Sequence, residues 1–363
     1  MRTKAAVFYA PKQPIKVEEV ELSAPKAGEV LVRVKATGAC HSDYHAVDGH
    51  TKAAITPLVM GHEAAGVVEG VGAGVTAFKE GDHVVFAIRP MCGMCKYCST
   101  GRWNLCNGIK NKPGHMVDGT TRFKKTDGST LYHGLATFSQ HTVVPEWNLV
   151  KVRPDVPIEK LASLGCAVVT GVGAVVNTAE VKPGTTMAVF GCGGVGLNVI
   201  QGGVIAGAAR IIAVDIAASK FDFAKKFGAT DTVDASKNDP VKAILDMTDG
   251  GVDYAFEVIG RPQTTRQAFD VTCAGGTACM VGVPPEGGEV TVPMRPLFMD
   301  RKLIGSSAGT VRPRTDFPWF IEMYRQGRLK LDELQSRFRP LDEINEAFQD
   351  MLSGSVARTI VKP

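Results

Sequence analysis

No stretch of this chain carries enough lysine and arginine in a row to grip a nucleic-acid backbone, and no basic patch is interleaved with aromatics. Its 41 basic residues nearly balance 37 acidic ones, a net charge of +4, so nucleic acid is not an expected partner. The first residues lack the apolar core of a secretory signal: Met1-Arg2-Thr3-Lys4 runs straight into the strand-like Ala5-Ala6-Val7-Phe8-Tyr9. Nine cysteines, an odd number without a secretory address, argue for metal ligands or free thiols over a disulfide framework. The expectation is a soluble, cytoplasmic protein with no membrane partner. One stretch tests it: residues 183–209 hold no charge and are long enough to span a bilayer. Eight glycines, with Asn198 and Gln201, make a strand, a turn and a helix the better reading. Histidine is missing after residue 141, so all eight lie in the first half with six of the nine cysteines, and metal-type chemistry is concentrated there.

A chain of 363 residues suggests two domains, each able to bury its own core. The first 35 residues alternate in short β-rich runs such as Val30-Leu31-Val32-Arg33-Val34, punctuated by Pro11, Pro14, Pro25 and Gly28. Glycine-bounded strands recur at 66–72 and 81–86, which predicts a β-rich, barrel-like domain. Between these runs lie Cys40-His41-Ser42-Asp43-Tyr44-His45 and Gly61-His62-Glu63. Cys40 and His62, 22 positions apart, suit a zinc ion if a third ligand arrives from elsewhere. Taken alone, the pair reads as a buried thiol and a satisfied core histidine.

Cys92, Cys95, Cys98 and Cys106 then follow in C-x2-C-x2-C-x7-C spacing, which can close a tetrahedral all-cysteine zinc site. No base or nucleophile stands among them and no coordination position is left open. That zinc is expected to be structural, in a lobe at about residues 90–110. Residues 108–134 read as one long polar loop, with His115 and His133 as surface or loop residues. Strand signals resume at 137–144, and 158–180 reads as a helix containing Leu164-Gly165-Cys166-Ala167. By itself Cys166 is an inert core thiol. Beside Cys40 and His62 it supplies the missing ligand of an open catalytic zinc, two thiolates and one imidazole.

Met187-Ala188-Val189-Phe190 has the pattern of a buried strand and leads into Gly191-Cys192-Gly193-Gly194-Val195-Gly196 and a helix. Glycines 191, 193 and 196 match G-x-G-x-x-G, which permits a tight turn and close approach to a pyrophosphate at the helix N-terminus. A second strand, 210–214, ends in Asp215, a carboxylate placed to bind ribose hydroxyls and repel a 2′-phosphate, favouring NAD over NADP. Further strands at 252–258 and 277–283 alternate with helical segments, so the second half reads as a doubly wound parallel sheet. Two amphipathic helices near 319–326 and 341–352 precede a last strand, 358–361, expected to return to the first domain.

Together these motifs resemble the zinc-dependent, medium-chain alcohol dehydrogenases over essentially the whole chain. The resemblance implies an α/β chain with a GroES-like β-rich catalytic domain (1–167 and 310–363) and a Rossmann domain (168–309), an active cleft between them, and homo-oligomers, a dimer before a tetramer. It implies two zinc ions per subunit, a catalytic one on Cys40, His62 and Cys166 and a structural one on the four-cysteine lobe. Asp43 would fix the His62 tautomer, Glu63 would approach the metal during ligand exchange, and Ser42 and His45 would form a proton relay. For NAD it implies contacts from His41, Thr170, Gly191, Gly193, Gly194, Val195, Gly196, Asp215, Lys220, Val281, Val283 and Arg358. The implied reaction is hydride transfer between a primary alcohol, bulky or aromatic ones included, and NAD, with zinc as Lewis acid.

Rival readings stay open at this stage. Glutathione-dependent formaldehyde dehydrogenases share the architecture, although they usually carry arginine where this chain has Lys110 and lack the relay histidine found as His45. Nicotinoprotein alcohol dehydrogenases, which keep NAD(H) bound, are similar around Asp118-Gly119-Thr120 and Leu329–Leu334. Outside enzymes, a zinc-stabilised NAD(H)-binding protein without turnover has the same parts. The alcohol or aldehyde is undetermined; Ile88, Asn111, Tyr132, His133, Ser307 and Ala308 align roughly with pocket positions.

Overall fold

The computed structural model describes residues 1–49 and 55–363, so His50 lies outside the described residues. The chain divides into two compact units, one of Met1–Cys166, Arg312–Tyr324 and Leu331–Pro363, the other of Ala167–Val311 and Arg325–Lys330. The sequence boundary assigned all of 310–363 to the first domain and differs at Arg325–Lys330. There the Lys330 N–H donates to Oε1 of the buried Gln201 (2.9 Å), which holds the segment in the second unit.

In chain order the first unit contributes β1 (Arg2–Phe8), β2 (Lys16–Leu22), β3 (Glu29–Gly38), β4 (Leu58–Val59), β5 (Ala64–Val71), β6 (His83–Phe86), β7 (Phe123–Lys125), β8 (Thr130–His133), β9 (His141–Pro145) and β10 (Leu149–Val152). Strands β1, β2, β7, β8 and β4 form a closed barrel, which the short β4 seals by pairing antiparallel to β1 and parallel to β8. β1 explains how the barrel is packed. Ala5 and Val7 point into a cluster with Val20, Leu22, Phe123 and Leu131, while Ala6 and Phe8 face Met60, Phe138 and Phe348. Two-residue alternation thus buries both faces of one strand. Truncating a fully buried phenylalanine such as Phe8 costs about 3–5 kcal/mol.

Three sequence expectations change here. Residues 108–134 are not one loop, because β7 and β8 form a hairpin over Asp127-Gly128, where Gly128 has φ 87° and the Ser129 N–H donates to Asp127 Oδ1 (2.8 Å). Runs of three and four residues are too short to show a strand period. His133 accordingly lies in β8, only 1% exposed. Residues 158–180 are not one helix either. A 3-10 segment, Ile158–Gly165, ends at Cys166 (φ −139°, ψ −71°), before α-helical Ala167–Gly173 and a π-turn, Ala174–Thr178.

In the second unit, β11 (Thr186–Phe190), β12 (Arg210–Asp215), β13 (Asp231–Asp234), β14 (Val252–Glu257), β15 (Thr272–Met280) and β16 (Lys302–Gly305) form a parallel sheet in the order β13-β12-β11-β14-β15-β16. The order reverses direction between β11 and β14, the topological switch point where such sheets bind ligands. In chain order the helices are α1 (His41–Val47), α2 (Lys96–Ser99), α3 (Ala167–Gly173), α4 (Gly194–Ala206), α5 (Phe221–Phe227), α6 (Pro240–Thr248), α7 (Pro262–Asp270), α8 (Met294–Phe298), α9 (Pro313–Arg325) and α10 (Ile344–Ser353). The uncharged stretch 183–209 resolves into β11, the glycine turn and α4, and no single helix among the described residues is long and apolar enough to cross a membrane. The chain returns to the first unit with β17 (Gln335–Pro340) and β18 (Arg358–Lys362). β18 pairs antiparallel with β3, completing the sheet β10-β6-β5-β3-β18-β17, with β9 also on β3.

Candidate functional site

Strand register gathers one cluster in the first unit. Thr37 of β3 pairs with Ala64 of β5, and Gly38 pairs with Ile360 of β18. The Gly38 N–H donates to the Glu63 carbonyl (2.7 Å) and the Ala39 N–H to the Thr359 carbonyl (3.0 Å). Cys40 just after β3, His62 and Glu63 just before β5, and Arg358 at the start of β18 are therefore brought to the same end of one sheet. Cys166 arrives from the helix break. Gly165 permits it, because a Cβ there would lie 2.4 Å from the Phe86 carbonyl oxygen.

The result is a set of donor atoms from Cys40, His62, Glu63 and Cys166, all within 4.8 Å of one another. The Cys40 and Cys166 sulfurs are 3.9 Å apart, too far for a disulfide and close to the roughly 3.8 Å edge of a tetrahedron with Zn–S bonds of about 2.3 Å. His62 turns Nε2 toward this group, and its Nδ1 meets Asp43 Oδ1 at 3.0 Å, the outer-shell bond that sets a ligand tautomer. Ser42 Oγ lies 3.0 Å from Cys40 Sγ and 3.3 Å from His62 Nε2, on an exposed residue of α1. The donor set fits zinc, soft thiolates with an imidazole.

Charge in the cluster is tightly balanced. The bond with Cys166 holds Cys40 well below the ordinary thiol range, helped against burial by Arg358 and His62. Cys166 is pushed well above that range by the same bond and by burial. Burial raises Glu63 to about 7 although Arg358 opposes it. Arg358 clamps Glu63 with two bonds, Nε to Oε1 at 2.9 Å and Nη2 to Oε2, and is only 6% exposed. Sequence reasoning placed Arg358 with the cofactor contacts and missed this pairing, since nothing local links residues 295 positions apart.

The four-cysteine lobe is equally compact. Cys92, Cys95, Cys98 and Cys106 form a second group within 4.8 Å, with sulfur pairs Cys92–Cys98 and Cys95–Cys106 both at 3.9 Å, so the same tetrahedral test is met. Backbone N–H groups of Cys98 and Asn107 draw Cys95 down to about 6, whereas burial pushes Cys98 up to about 12, so the four thiols are held unequally. Four cysteines make up the whole group, so all four tetrahedral positions are filled by protein and none is left for a substrate, as in a closed structural site.

The remaining relay and cofactor candidates are placed as follows. His41 is exposed at the start of α1, its ring 6.2 Å from that of His45, whose Nδ1 lies 3.9 Å from Asp48 Oδ2. In the second unit the turn Gly191–Gly196 opens α4. Gly191 has φ 101°, and a Cβ on Gly196 would fall 1.8 Å from the Gly191 carbonyl oxygen, so only glycine fits. Around Gly193 nothing lies within 4 Å of an added Cβ, which leaves room at the helix N-terminus beside Gly194 and Val195. Asp215, at the end of β12, accepts the Cys192 N–H (2.8 Å) and the Ala217 N–H (2.9 Å), with Lys220 Nζ at 3.2 Å. Val281 is buried just after β15, Val283 is exposed, and Thr170 is half-buried in α3. This arrangement fits a dinucleotide: a tight turn, free helix N–H groups, and a carboxylate one strand away.

His133, aligned with pocket positions and also expected at the surface, is neither. Its Nε2 accepts the Arg122 N–H (3.0 Å) and Nδ1 faces the Gly134 carbonyl (3.0 Å), so it is a core histidine. Arg122 beside it is 1% exposed and paired with Glu29 and Asp118.

Comparison with known proteins agrees with this geometry. The chain matches the family models described as "Alcohol dehydrogenase GroES-like domain" over residues 26–154 and "Zinc-binding dehydrogenase" over residues 194–326. It is 43% identical to the probable S-(hydroxymethyl)glutathione dehydrogenase 1 of Schizosaccharomyces pombe, over 99% of this chain and 96% of that protein. Among solved structures, an alcohol dehydrogenase zinc-binding domain protein from Burkholderia ambifaria superposes with a TM-score of 0.95 at 36% identity, over 100% of this chain and 99% of that one. Benzyl alcohol dehydrogenase from Acinetobacter calcoaceticus gives 0.93 at 33% identity, with the same coverage.

Proposed function

The chain belongs to the zinc-dependent, medium-chain alcohol dehydrogenase family, and from that premise we propose that it oxidises the hydroxymethyl group of S-(hydroxymethyl)glutathione to the thioester level with NAD. The observation that carries the substrate is the full-length likeness to the S. pombe protein of that name, joined to a complete zinc and dinucleotide constellation. This reverses the order of the sequence reading, which put a free primary alcohol first and the glutathione adduct second. Lys110 in place of arginine and the presence of His45 had weighed against the adduct. Both are single positions, whereas the likeness extends over 365 aligned residues.

Each step follows from the chain's own groups. Cys40, His62 and Cys166 would hold zinc, which when bound would supply Lewis acidity of the kind that moves the pKa of water from about 16 to about 7. Asp43 keeps the His62 ring turned so that Nε2 faces the cluster. Ser42 Oγ, beside both Cys40 and His62, takes the hydroxyl proton and passes it outward toward His45. Arg358 neutralises Glu63 within the cluster, so the buried site does not carry three uncompensated negative groups. On the second unit the glycine turn and the α4 N–H groups bind the pyrophosphate, while Asp215 orders the ribose and repels a 2′-phosphate. One hydride leaves the carbinol carbon for NAD, one proton leaves the hydroxyl, and the products are the thioester and NADH.

The test is initial-rate NADH formation with formaldehyde, glutathione or both, set beside benzyl alcohol. The proposal expects NADH only when formaldehyde and glutathione are both present, with kcat/KM at least about tenfold above that for benzyl alcohol. Preference for benzyl alcohol, with no glutathione requirement, would sink it in favour of an aromatic primary alcohol, the reading supported by the likeness to the Acinetobacter enzyme. A homodimer and a cytoplasmic location belong to the same proposal. The dimer is supported by the edge position of β16 and the 82% exposure of Phe298 nearby, the location by thiols suited to metal. A monomeric mass by light scattering at working concentration would contradict the dimer.

A further inference from the structure

Glu257 closes β14 at the carboxyl edge of the parallel sheet and is fully buried, 0% exposed, yet its carboxylate is used on one side only. Oε1 accepts three bonds, from the Ile259 N–H (2.9 Å), the Gly260 N–H (2.8 Å) and the Thr264 hydroxyl (2.7 Å). Oε2 has no hydrogen-bond partner among the described residues. A bare, buried carboxylate oxygen is costly, so a group that keeps one is held there by what its other atoms do.

Those atoms join two turns, and the first of these is packed against a third. The Glu257 carbonyl accepts the Val281 N–H (2.7 Å) and the Gly282 N–H (3.0 Å), which ties down the turn after β15. Its side chain ties down the turn after β14. That turn is pressed against the glycine turn after β11: the Val258 N–H donates to the Phe190 carbonyl (2.9 Å), and a Cβ on Gly191 would meet Ile259 Cγ1 at 2.8 Å. The turns after β14 and β15 also touch backbone to backbone, for a Cβ on Gly282 would lie 2.1 Å from the Gly260 nitrogen. Glu257 is thus the common acceptor for the strand ends on one side of the switch point, where a dinucleotide lies. Ile259 and Val283, on the two turns it holds, are 43% and 63% exposed. These are apolar side chains presented on a fixed backbone.

We propose that Glu257 is a positioning residue for the dinucleotide, its Oε1 holding the Ile259-Gly260 turn, and its carbonyl the Val281–Val283 turn, at the distance from the glycine turn that NAD requires. The proposal rests on the reading that NAD binds at Gly191–Gly196. Only one carboxylate oxygen is in use, so acceptor geometry carries the role and negative charge does not. A glutamine keeps one carbonyl oxygen for the same three donors, whereas leucine keeps the volume and loses all three bonds.

The experiment measures NADH binding by fluorescence titration, with KM for NAD and kcat, in the zinc-loaded full-length enzyme carrying Glu257→Leu, Glu257→Gln or Thr264→Val. Asp215→Ala serves as the control for the cofactor site. Expected for Glu257→Leu is an NADH Kd and a KM for NAD about 10- to 30-fold above wild type, with kcat at saturating NAD within about threefold. Glu257→Gln should return to within about threefold, and Thr264→Val, which removes a single bond and serves if the leucine variant does not fold, should weaken NADH about three- to fivefold. Unchanged NADH affinity in either of the bond-removing variants, with only a lower Tm, would overturn the proposal and leave Glu257 a stability element. A glutamine variant as weak as the leucine one would also overturn it, by showing that charge matters. Failure of the underlying reading looks different: Asp215→Ala would then leave NADH affinity unaltered as well.

Discussion

Asp43 Oδ1 stands 3.0 Å from Nδ1 of His62, and this one bond decides which nitrogen of the imidazole is offered to a metal. Asp43 is buried, and burial raises its pKa although His62 pulls the other way. Asp43→Asn keeps the shape and removes the charge. The expected result is a 10- to 100-fold loss in zinc affinity or in kcat/KM, of the size found for outer-shell partners, with NADH binding unchanged. Metal analysis together with initial rates checks it; full activity and full zinc would remove Asp43 from the site.

Cys166 is the candidate ligand that arrives from outside the β-rich segment, so its removal separates the two halves of the proposed chemistry. Cys166→Ala should abolish alcohol oxidation, lower bound zinc from about two to about one per chain, and leave NADH titration as in wild type. Activity that survives at wild-type level would take Cys166 out of the zinc site.

Four sulfurs converge at the centre of the four-cysteine lobe. Cys98→Ser should again lower zinc to about one per chain, but here the loss should appear first as a lower Tm and increased proteolysis within the lobe. Equal Tm with and without the second zinc would contradict a structural role.

Stability should depend on pH through His133. Burial, helped by the Arg122 charge and opposed by the Gly134 carbonyl, lowers this histidine from 6.5 to about 4. The unfolded chain therefore binds a proton that the folded chain refuses between those values. Its contribution is full above pH 6.5, declines as the pH falls toward 4, and amounts to about 3 kcal/mol at 1.36 kcal/mol per pKa unit. His133→Gln, which can still accept the Arg122 N–H, should flatten the fall in unfolding free energy over that window. An equal slope in both proteins would show that His133 is not the group responsible.

Cofactor preference should follow Asp215. Asp215→Ala removes the carboxylate that accepts the Cys192 and Ala217 N–H groups and should raise the ratio of NADP to NAD use at least about tenfold. An unaltered ratio would mean that another group excludes the 2′-phosphate.

Several parts of the molecule were legible in order of residues alone, because they depend on local spacing. The C-x2-C-x2-C-x7-C run folds onto itself within fifteen residues, and its four sulfurs meet as the spacing predicts. The strand, glycine turn, helix and strand ending in Asp215 form one contiguous unit, and its parallel sheet follows from the alternation of periods. By contrast, the short β7–β8 hairpin was lost inside an expected loop, and the 158–180 helix was drawn unbroken across Cys166.

Chain chemistry alone settled which side chains can bind zinc and which turn can accept a dinucleotide, since sulfur, imidazole and glycine bring those capacities wherever they stand. Only the tertiary fold decided that Cys40 and Cys166, 126 positions apart, come within 3.9 Å, that Arg358 turns inward to Glu63, and that Glu257 ties the turn after β14 to the turn after β15. The physical reason is that long-range neighbours are chosen by strand register and by backbone approaches such as Gly165 on Phe86, and neither leaves a mark in the residues nearby.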